Sequence, residues 1–320
     1  MSFKNILKGL RNTVQDKITS LHTGKEVNTL YELLYQATHD LDQAIAITAT
    51  QTKDSFAHQW EHLKEGQYLL SDPWFKNNVS RILSEEEIQI DPKWFAGKNV
   101  LDVGCGNGRW SYGFAELGAN ITAVDVNEVA IEETRQALTP FDVQKSFYVS
   151  SIEDLSHVLP QKKYDLVFCW GVLHHCRQFN KGLDELVRML TSNGLLYLYL
   201  YGRETVSYRD DLRLFKQRLY YNSLPTAELK YKFLLKHAKK DPSKVHNYHD
   251  IYAPLINRRF LFDDVESMLK LRGFEDITQT INHSEVFVRA IRSHANDYQP
   301  WQLPRYQPPY WFEHHDHKNT

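Results

Sequence analysis

From residue 98 onward, short runs of β-branched and aromatic residues alternate with stretches whose apolar positions recur every three to four residues. The short runs predict strands at 99–103, 121–125, 147–150, 165–169 and 195–201, and the periodic stretches predict helices near 108–117, 127–138 and 181–191. Such alternation builds βαβ units, because a parallel neighbour is reached only through a crossover. With right-handed crossovers, ligands lie beyond the carboxyl ends of the strands, where strand order reverses. The pattern breaks over residues 203–262, which read as helices at 205–221 and 226–240 followed by a loop through DPSKVHNYHDIYAPLINRR. It resumes with a helix at 263–271, a stop at Gly273, and strands at 274–280 and 285–291.

Upstream, Leu30, Leu34, Leu41 and Ile45 recur at helical spacing between residues 26 and 51, so residues 1–94 are expected to form a helical N-terminal extension. Phe56, Trp60, Trp74 and Phe75 there offer rings that either close over a site or pack in a core. The expected core comprises 95–202 and 263–292. Residues 203–262, leaving a strand at its carboxyl end, are placed to act as a helical substrate lid. The tail, 293–320, is rich in Pro and aromatics and is expected to be extended; its His314–His317 run, HHDH, reads as a solvated terminus rather than a metal site.

Composition narrows the partners. A chain of 320 residues with 42% apolar residues buries an ample core, and a formal charge of −2 provides no global attraction to nucleic acid or an anionic membrane. Locally the balance differs, since residues 203–262 hold 13 Lys/Arg against 6 Asp/Glu. No apolar run approaches the about 18 residues of a membrane span, and no secretory signal opens the chain. Three cysteines, Cys105, Cys169 and Cys176, cannot all pair, which favours a reducing, cytoplasmic setting.

The chemistry concentrates in VLDVGCGNGRWS, where Gly104, Gly106 and Gly108 follow the first strand at alternate positions. A dinucleotide fingerprint needs G-x-G-x-x-G, and position 109 is Arg; a phosphate-binding P-loop needs a following Gly-Lys-Ser/Thr, which is absent. Asp125 ends the second strand, where a carboxylate suits a ribose diol, and Asp102 beside the turn would repel a pyrophosphate but attract an ammonium group. Together they specify a nucleoside joined to an amino-acid-like zwitterion.

With ITAVDVNEVAIE, SSIEDL and YDLVFCWGVLHHCRQ, the glycine turn resembles the class I S-adenosylmethionine-dependent methyltransferases of small-molecule type, over residues 98–201 and again over 263–291. The resemblance implies a Rossmann-like, doubly wound α/β fold: a seven-stranded sheet, mostly parallel, whose last strand is antiparallel. It also implies S-adenosyl-L-methionine as cofactor. By position, Gly104, Gly106, Gly108 and Asp102 would meet its methionine part, Asp125 the ribose and Val126 the adenine. Ser151 stands where many relatives carry an acid to the adenine, Ile152 would pack on the ring, and Cys169, Trp170 and Gly171 would reach the methionine chain.

In-line methyl transfer requires a nucleophile held close to the methyl carbon with water excluded, and a hydroxyl or ammonium acceptor must also lose a proton. His174, beside His175 in GVLHHC, is the candidate base, although a structural role suits at least one of the pair. Thiolate-held metalloid chemistry would need converging cysteines, and two of the three occupy cofactor positions. Acceptor binding is expected at Tyr201, Arg203, Tyr252, Asn257 and Arg258, whose arginines suit a carboxylate or phosphate on a small molecule. Two alternatives stay open: methylation of RNA, such as tRNA, through the basic insert, and a non-catalytic S-adenosylmethionine-binding regulator.

Overall fold

The computed structural model describes residues 46–64, 66, 68–160 and 163–292. The amphipathic stretch before residue 46 and the tail beyond 292 lie outside the described residues. What is described divides into two compact units, one comprising residues up to Gly66 with Val206–Arg258, the other running to Thr205 and resuming at Arg259.

The first unit is helical. Its helices are α1 (Ala46–His62) and, later in the chain, α7 (Tyr208–Ser223), α8 (Ala227–His237) and α9 (Val245–Tyr252). Ser207 caps α7 by accepting from the Asp210 amide, and Thr226 caps α8 through Leu229. Leu63, Tyr221, Leu234, Val245 and Tyr252 form the core. Helix α9 corrects the sequence reading, which made this stretch a loop. Its His, Asn and Asp residues have weak intrinsic propensity, but burial of Val245, His246, His249 and Tyr252 overrides that preference. Gln59 of α1 donates to Asp250 Oδ1 at 2.7 Å and to the His246 carbonyl at 3.1 Å, tying α1 to α9.

The second unit opens with α2 (Pro73–Arg81), capped by Asp72 with Pro73 at its first position, and a π-helix, Ile82–Ile88. The α/β part contains β1 (Asn99–Val103), α3 (Arg109–Glu116), β2 (Asn120–Asp125), α4 (Glu128–Ala137), β3 (Lys145–Val149), α5 (Leu155–Val158), β4 (Tyr164–Trp170), α6 (Phe179–Met189) and β5 (Leu190–Leu200). It ends with α10 (Phe262–Lys270), β6 (Asp276–Gln279) and β7 (Val286–Ile291). The sheet order is β3-β2-β1-β4-β5-β7-β6, with β7 antiparallel to both its neighbours. This is the seven-stranded Rossmann-like arrangement expected, and the order reverses between β1 and β4.

Strand limits shift where polar residues disguise them. β3 begins at Lys145 rather than 147, its half-exposed residues being held by backbone pairing to β2. β5 begins at Leu190 rather than 195, because Leu190 pairs with Tyr164 before a register irregularity although Thr191-Ser192-Asn193-Gly194 reads as a turn. Both faces of the sheet are covered. Val100, Ile121, Ala123, Leu166, Phe168 and Tyr197 pack on one side with Phe75, Val79 and Phe114, while Leu101, Val103, Val124, Val167 and Leu196 pack on the other. Phe75 is therefore a core residue, meeting Trp110 edge-on at 5.8 Å, and not a ring closing over a site. No described helix is long and apolar enough to cross a membrane.

Candidate cofactor and acceptor site

Period-two alternation decides which side chains meet at the carboxyl edge. Asp102 is in register with Ala123 on β2 and Phe168 on β4, and Phe168 with Tyr197 on β5. Ala123, Phe168 and Tyr197 all belong to the core on the α3 side, so Asp102 faces that side, as do Asp125, Trp170 and Tyr199 two residues further along their strands. The register thus puts both sequence-selected acids and the indole on one face.

The glycine turn is pinned to β2, with the amides of Gly104 and Cys105 donating to the Val124 carbonyl at 2.7 and 3.1 Å. Gly104, Gly106 and Gly108 have φ of +77°, +55° and +80°. A side chain at Gly104 would also bring its Cβ to 2.1 Å from Val172 Cγ2, so glycine is required there for conformation and for space.

Both acids are fixed by donors. Ser111 Oγ, in the first turn of α3, donates to Asp102 Oδ2 at 2.6 Å. The Gly106 amide donates to Asp125 Oδ2 at 3.1 Å, and the Asn127 amide to Oδ1 at 2.9 Å. Burial pushes the Asp102 carboxyl up to about 7, with Asp125 adding to the shift and the Ser111 hydrogen bond and Arg109 opposing it. A cation beside Asp102 would restore its charge. Asp125, 8% exposed, keeps two oxygens at the strand end, each able to accept more than one donor. Buried at the same edge, Asn107 Oδ1 and Asn127 Nδ2 have no hydrogen-bond partner among the described residues. An acid awaiting a cation, a carboxylate at a strand end and an unmatched amide donor and acceptor suit a zwitterionic nucleoside.

The remaining cofactor candidates fall around this edge. Val126 is half-buried after β2, and Ser151 caps the 3-10 turn Ile152–Asp154 by accepting from the Glu153 amide at 3.2 Å. Ile152 is buried against Leu155 and Leu173, while Gly171 leaves β4 with φ +76°. Cys169 is wholly buried and its thiol is pushed up to about 12; burial holds the Cys105 thiol well above its ordinary range too. Burial thus favours the neutral thiol in both. Trp170 lies against Tyr199, with ring centroids 4.2 Å apart, and under the Arg109 guanidinium at 4.5 Å.

The acceptor candidates divide between the units. Tyr201 and Arg203 lie where β5 leaves the sheet, joined to Phe260 by backbone hydrogen bonds of 2.9 Å each. Tyr252, Asn257 and Arg258 belong to the helical unit, and all three are buried. Asn257 has neither amide atom hydrogen-bonded among the described residues. His174, fully enclosed, has its ring centroid 4.0 Å from that of Tyr201, tilted by 34°, and 4.1 Å from the His175 ring.

Four side chains escaped the sequence reading. Ser111 and Thr134, whose Oγ1 donates to the Gly106 carbonyl at 2.9 Å, become visible only when helix phase is combined with the turn. Arg259 donates to the Gly202 carbonyl at 3.0 Å with its guanidinium 5.7 Å from the Tyr201 ring. Glu87, on the π-helix, had no signal beyond being one of three consecutive glutamates.

Residues 100–194 match the family described as a methyltransferase domain. The chain is 34% identical over 128 residues to the mitochondrial ubiquinone biosynthesis O-methyltransferase of Schizosaccharomyces pombe, covering 39% of this chain and 46% of that one. With the ubiquinone biosynthesis O-methyltransferase of Xanthomonas oryzae pv. oryzae the identity is 29% over 174 residues, covering 54% and 67%. The chain spans about half the length of the first of these relatives. Among solved structures it is similar to magnesium protoporphyrin IX methyltransferase from Synechocystis with bound SAH, at a TM-score of 0.45 and 18% identity, covering 77% of this chain and all of that one.

Proposed function

We propose that this chain, in which residues 100–194 match a methyltransferase domain, is a class I S-adenosylmethionine-dependent methyltransferase that transfers a methyl group from S-adenosyl-L-methionine to an oxygen of a small, anionic acceptor. The observation that carries the reading is the pair of fixed carboxylates on one sheet face, Asp102 held by Ser111 and Asp125 by the Gly106 and Asn127 amides. When bound, S-adenosylmethionine supplies a methyl group activated by its sulfonium. The chain's residues bind, orient and remove a proton. Asp102 receives the ammonium group and Asp125 the ribose hydroxyls, while the glycine turn lets backbone approach closely. Trp170, Tyr199 and Tyr201 form an aromatic wall that excludes water, which strengthens electrostatic interactions at the reacting atoms. A ring nitrogen of His174 takes the acceptor's hydroxyl proton. Arg203, with Arg259 beside Tyr201, favours a carboxylate or phosphate on the acceptor. Oxygen as acceptor atom is supported by the similarity to ubiquinone biosynthesis O-methyltransferases.

Calorimetric titration with S-adenosylhomocysteine tests the reading. Wild-type protein should bind it and Asp125→Ala should not, and methyl transfer should be found in a screen of hydroxylated carboxylic acids. Binding without transfer across such a screen would favour a regulator. The lysine and arginine excess in residues 203–262 is what favours the RNA reading, and RNA binding that falls steeply with salt would support it.

A further inference from the structure

We propose that Glu87 is a positioning residue that fixes the Trp170 indole at the carboxyl end of β4 from a segment preceding the α/β core. The proposal rests on the reading of Trp170 as a cofactor contact.

Of the three consecutive glutamates 85–87 only Glu87 is buried, with no exposed surface, and its Oε2 accepts from two donors. One is the Tyr197 hydroxyl at 2.6 Å, the other Trp170 Nε1 at 3.2 Å. Burying a carboxylate under a sheet is costly unless it is hydrogen-bonded, and an apolar residue would fill the same space without that cost. The hydrogen bond to the indole gives the acid a purpose that packing does not. An indole donates only from Nε1, so this bond settles which edge of Trp170 turns inward. With that edge held, the ring faces Tyr199 at 4.2 Å and Arg109 at 4.5 Å.

The segment carrying Glu87 is itself anchored. It is a π-helix, a conformation that recurs at functional sites, and it ends at Gln89 in the left-handed region with φ +57°. Arg289 of β7 clamps its exit, Nη1 donating to the carbonyls of Ile88 and Gln89 at 3.1 and 2.9 Å. Gln89 Nε2 donates to the Thr280 carbonyl. Glu87 is therefore held by the sheet while it holds Trp170.

The test is a double-mutant cycle on the full chain, with S-adenosylhomocysteine affinity read by calorimetry and folding by thermal melting. Glu87→Ala should weaken binding about tenfold, the scale of a lost hydrogen bond to a charged group. Glu87→Gln, which retains an acceptor oxygen, should recover most of the loss. Trp170→Phe keeps a ring without the N–H and should weaken binding comparably, and Glu87→Ala added to it should weaken binding no further. Tyr197→Phe removes the other donor and should lower the melting temperature while leaving affinity unchanged. A folded Glu87→Ala protein with wild-type affinity would overturn the proposal. Should that variant fail to fold, wild-type affinity in Trp170→Phe overturns it instead. Absence of binding by the wild-type protein would overturn the cofactor reading and this proposal together, an outcome distinct from either.

Discussion

Ser111 Oγ donates to Asp102 Oδ2 across 2.6 Å, linking the first turn of α3 to a strand residue that is 1% exposed. Without that donor the carboxyl would face an apolar core alone, and burial would raise its pKa further than the value of about 7 it has with the bond in place. The serine thus keeps Asp102 at the threshold of ionisation near neutral pH, where an arriving cation decides its charge.

That threshold makes stability depend on pH. The folded Asp102 carboxyl titrates at about 7, against about 3.9 in an unfolded chain. Between those values the unfolded chain has released a proton that the folded chain retains, so stability is fully present below about pH 4 and is lost as pH rises through 7. Asp102→Asn, which mimics the neutral form, should remove this fall, on the order of 3–4 kcal/mol between pH 4 and 8 as an upper bound. Denaturant midpoints across that range for the two proteins check it. The same variant should lose S-adenosylhomocysteine affinity, and the wild type's rise in affinity from pH 6 to 8 should flatten.

Ser111→Ala should destabilise the ligand complex more than the free protein. A hydrogen bond to a charged acceptor contributes about 1.5–3 kcal/mol, and Asp102 carries its charge when the cofactor is bound. Calorimetry should show about a tenfold weaker dissociation constant, with a melting temperature that changes less. Equal affinity in the two proteins would refute the charge assignment at Asp102.

Gly104→Ala forces a Cβ to within 2.1 Å of Val172 Cγ2 on a backbone at φ +77°. A loss of about 1–3 kcal/mol in folding stability is expected, together with loss of cofactor binding. Adding Val172→Ala should recover the part due to the clash and leave the part due to φ. Thermal melting of the single and double variants separates the two.

His174→Gln should lower turnover by about 10²-fold or more while S-adenosylhomocysteine affinity stays at the wild-type value. Retained turnover would confine His174 to supporting Tyr201, whose ring centroid lies 4.0 Å away.

Asn257 has a buried carboxamide with neither atom paired among the described residues. An unpaired buried polar group costs about 1–3 kcal/mol, so Asn257→Ala should leave the melting temperature unchanged or higher. If the amide reads the acceptor, the same change should raise the acceptor's KM several-fold without altering kcat. A variant that is destabilised with an unchanged KM would assign Asn257 to the framework.

The local chemistry of the first half of the site was legible in the residue pattern. Alternating strand and helix periodicity, three glycines, and acids at the ends of two strands lie within residues 99–125, and contacts this close in the chain can be read from spacing. Spacing put Asp125 at the end of the second strand and Asp102 just before the glycine turn, and the register then placed the two on one face. The rest came from packing between segments distant in the chain. Glu87 meets Trp170 from 83 residues away, and a glutamate on a helix carries no mark of what it will be buried against. Arg258 and Arg259 are neighbours in the chain, yet they fall in different compact units. Helix α9 formed where propensity predicted a loop, because burial of its apolar and histidine side chains outweighs the weak local preference of its residues. Periodicity reports the face an element turns to its core; the partner it finds there is set by packing across the chain.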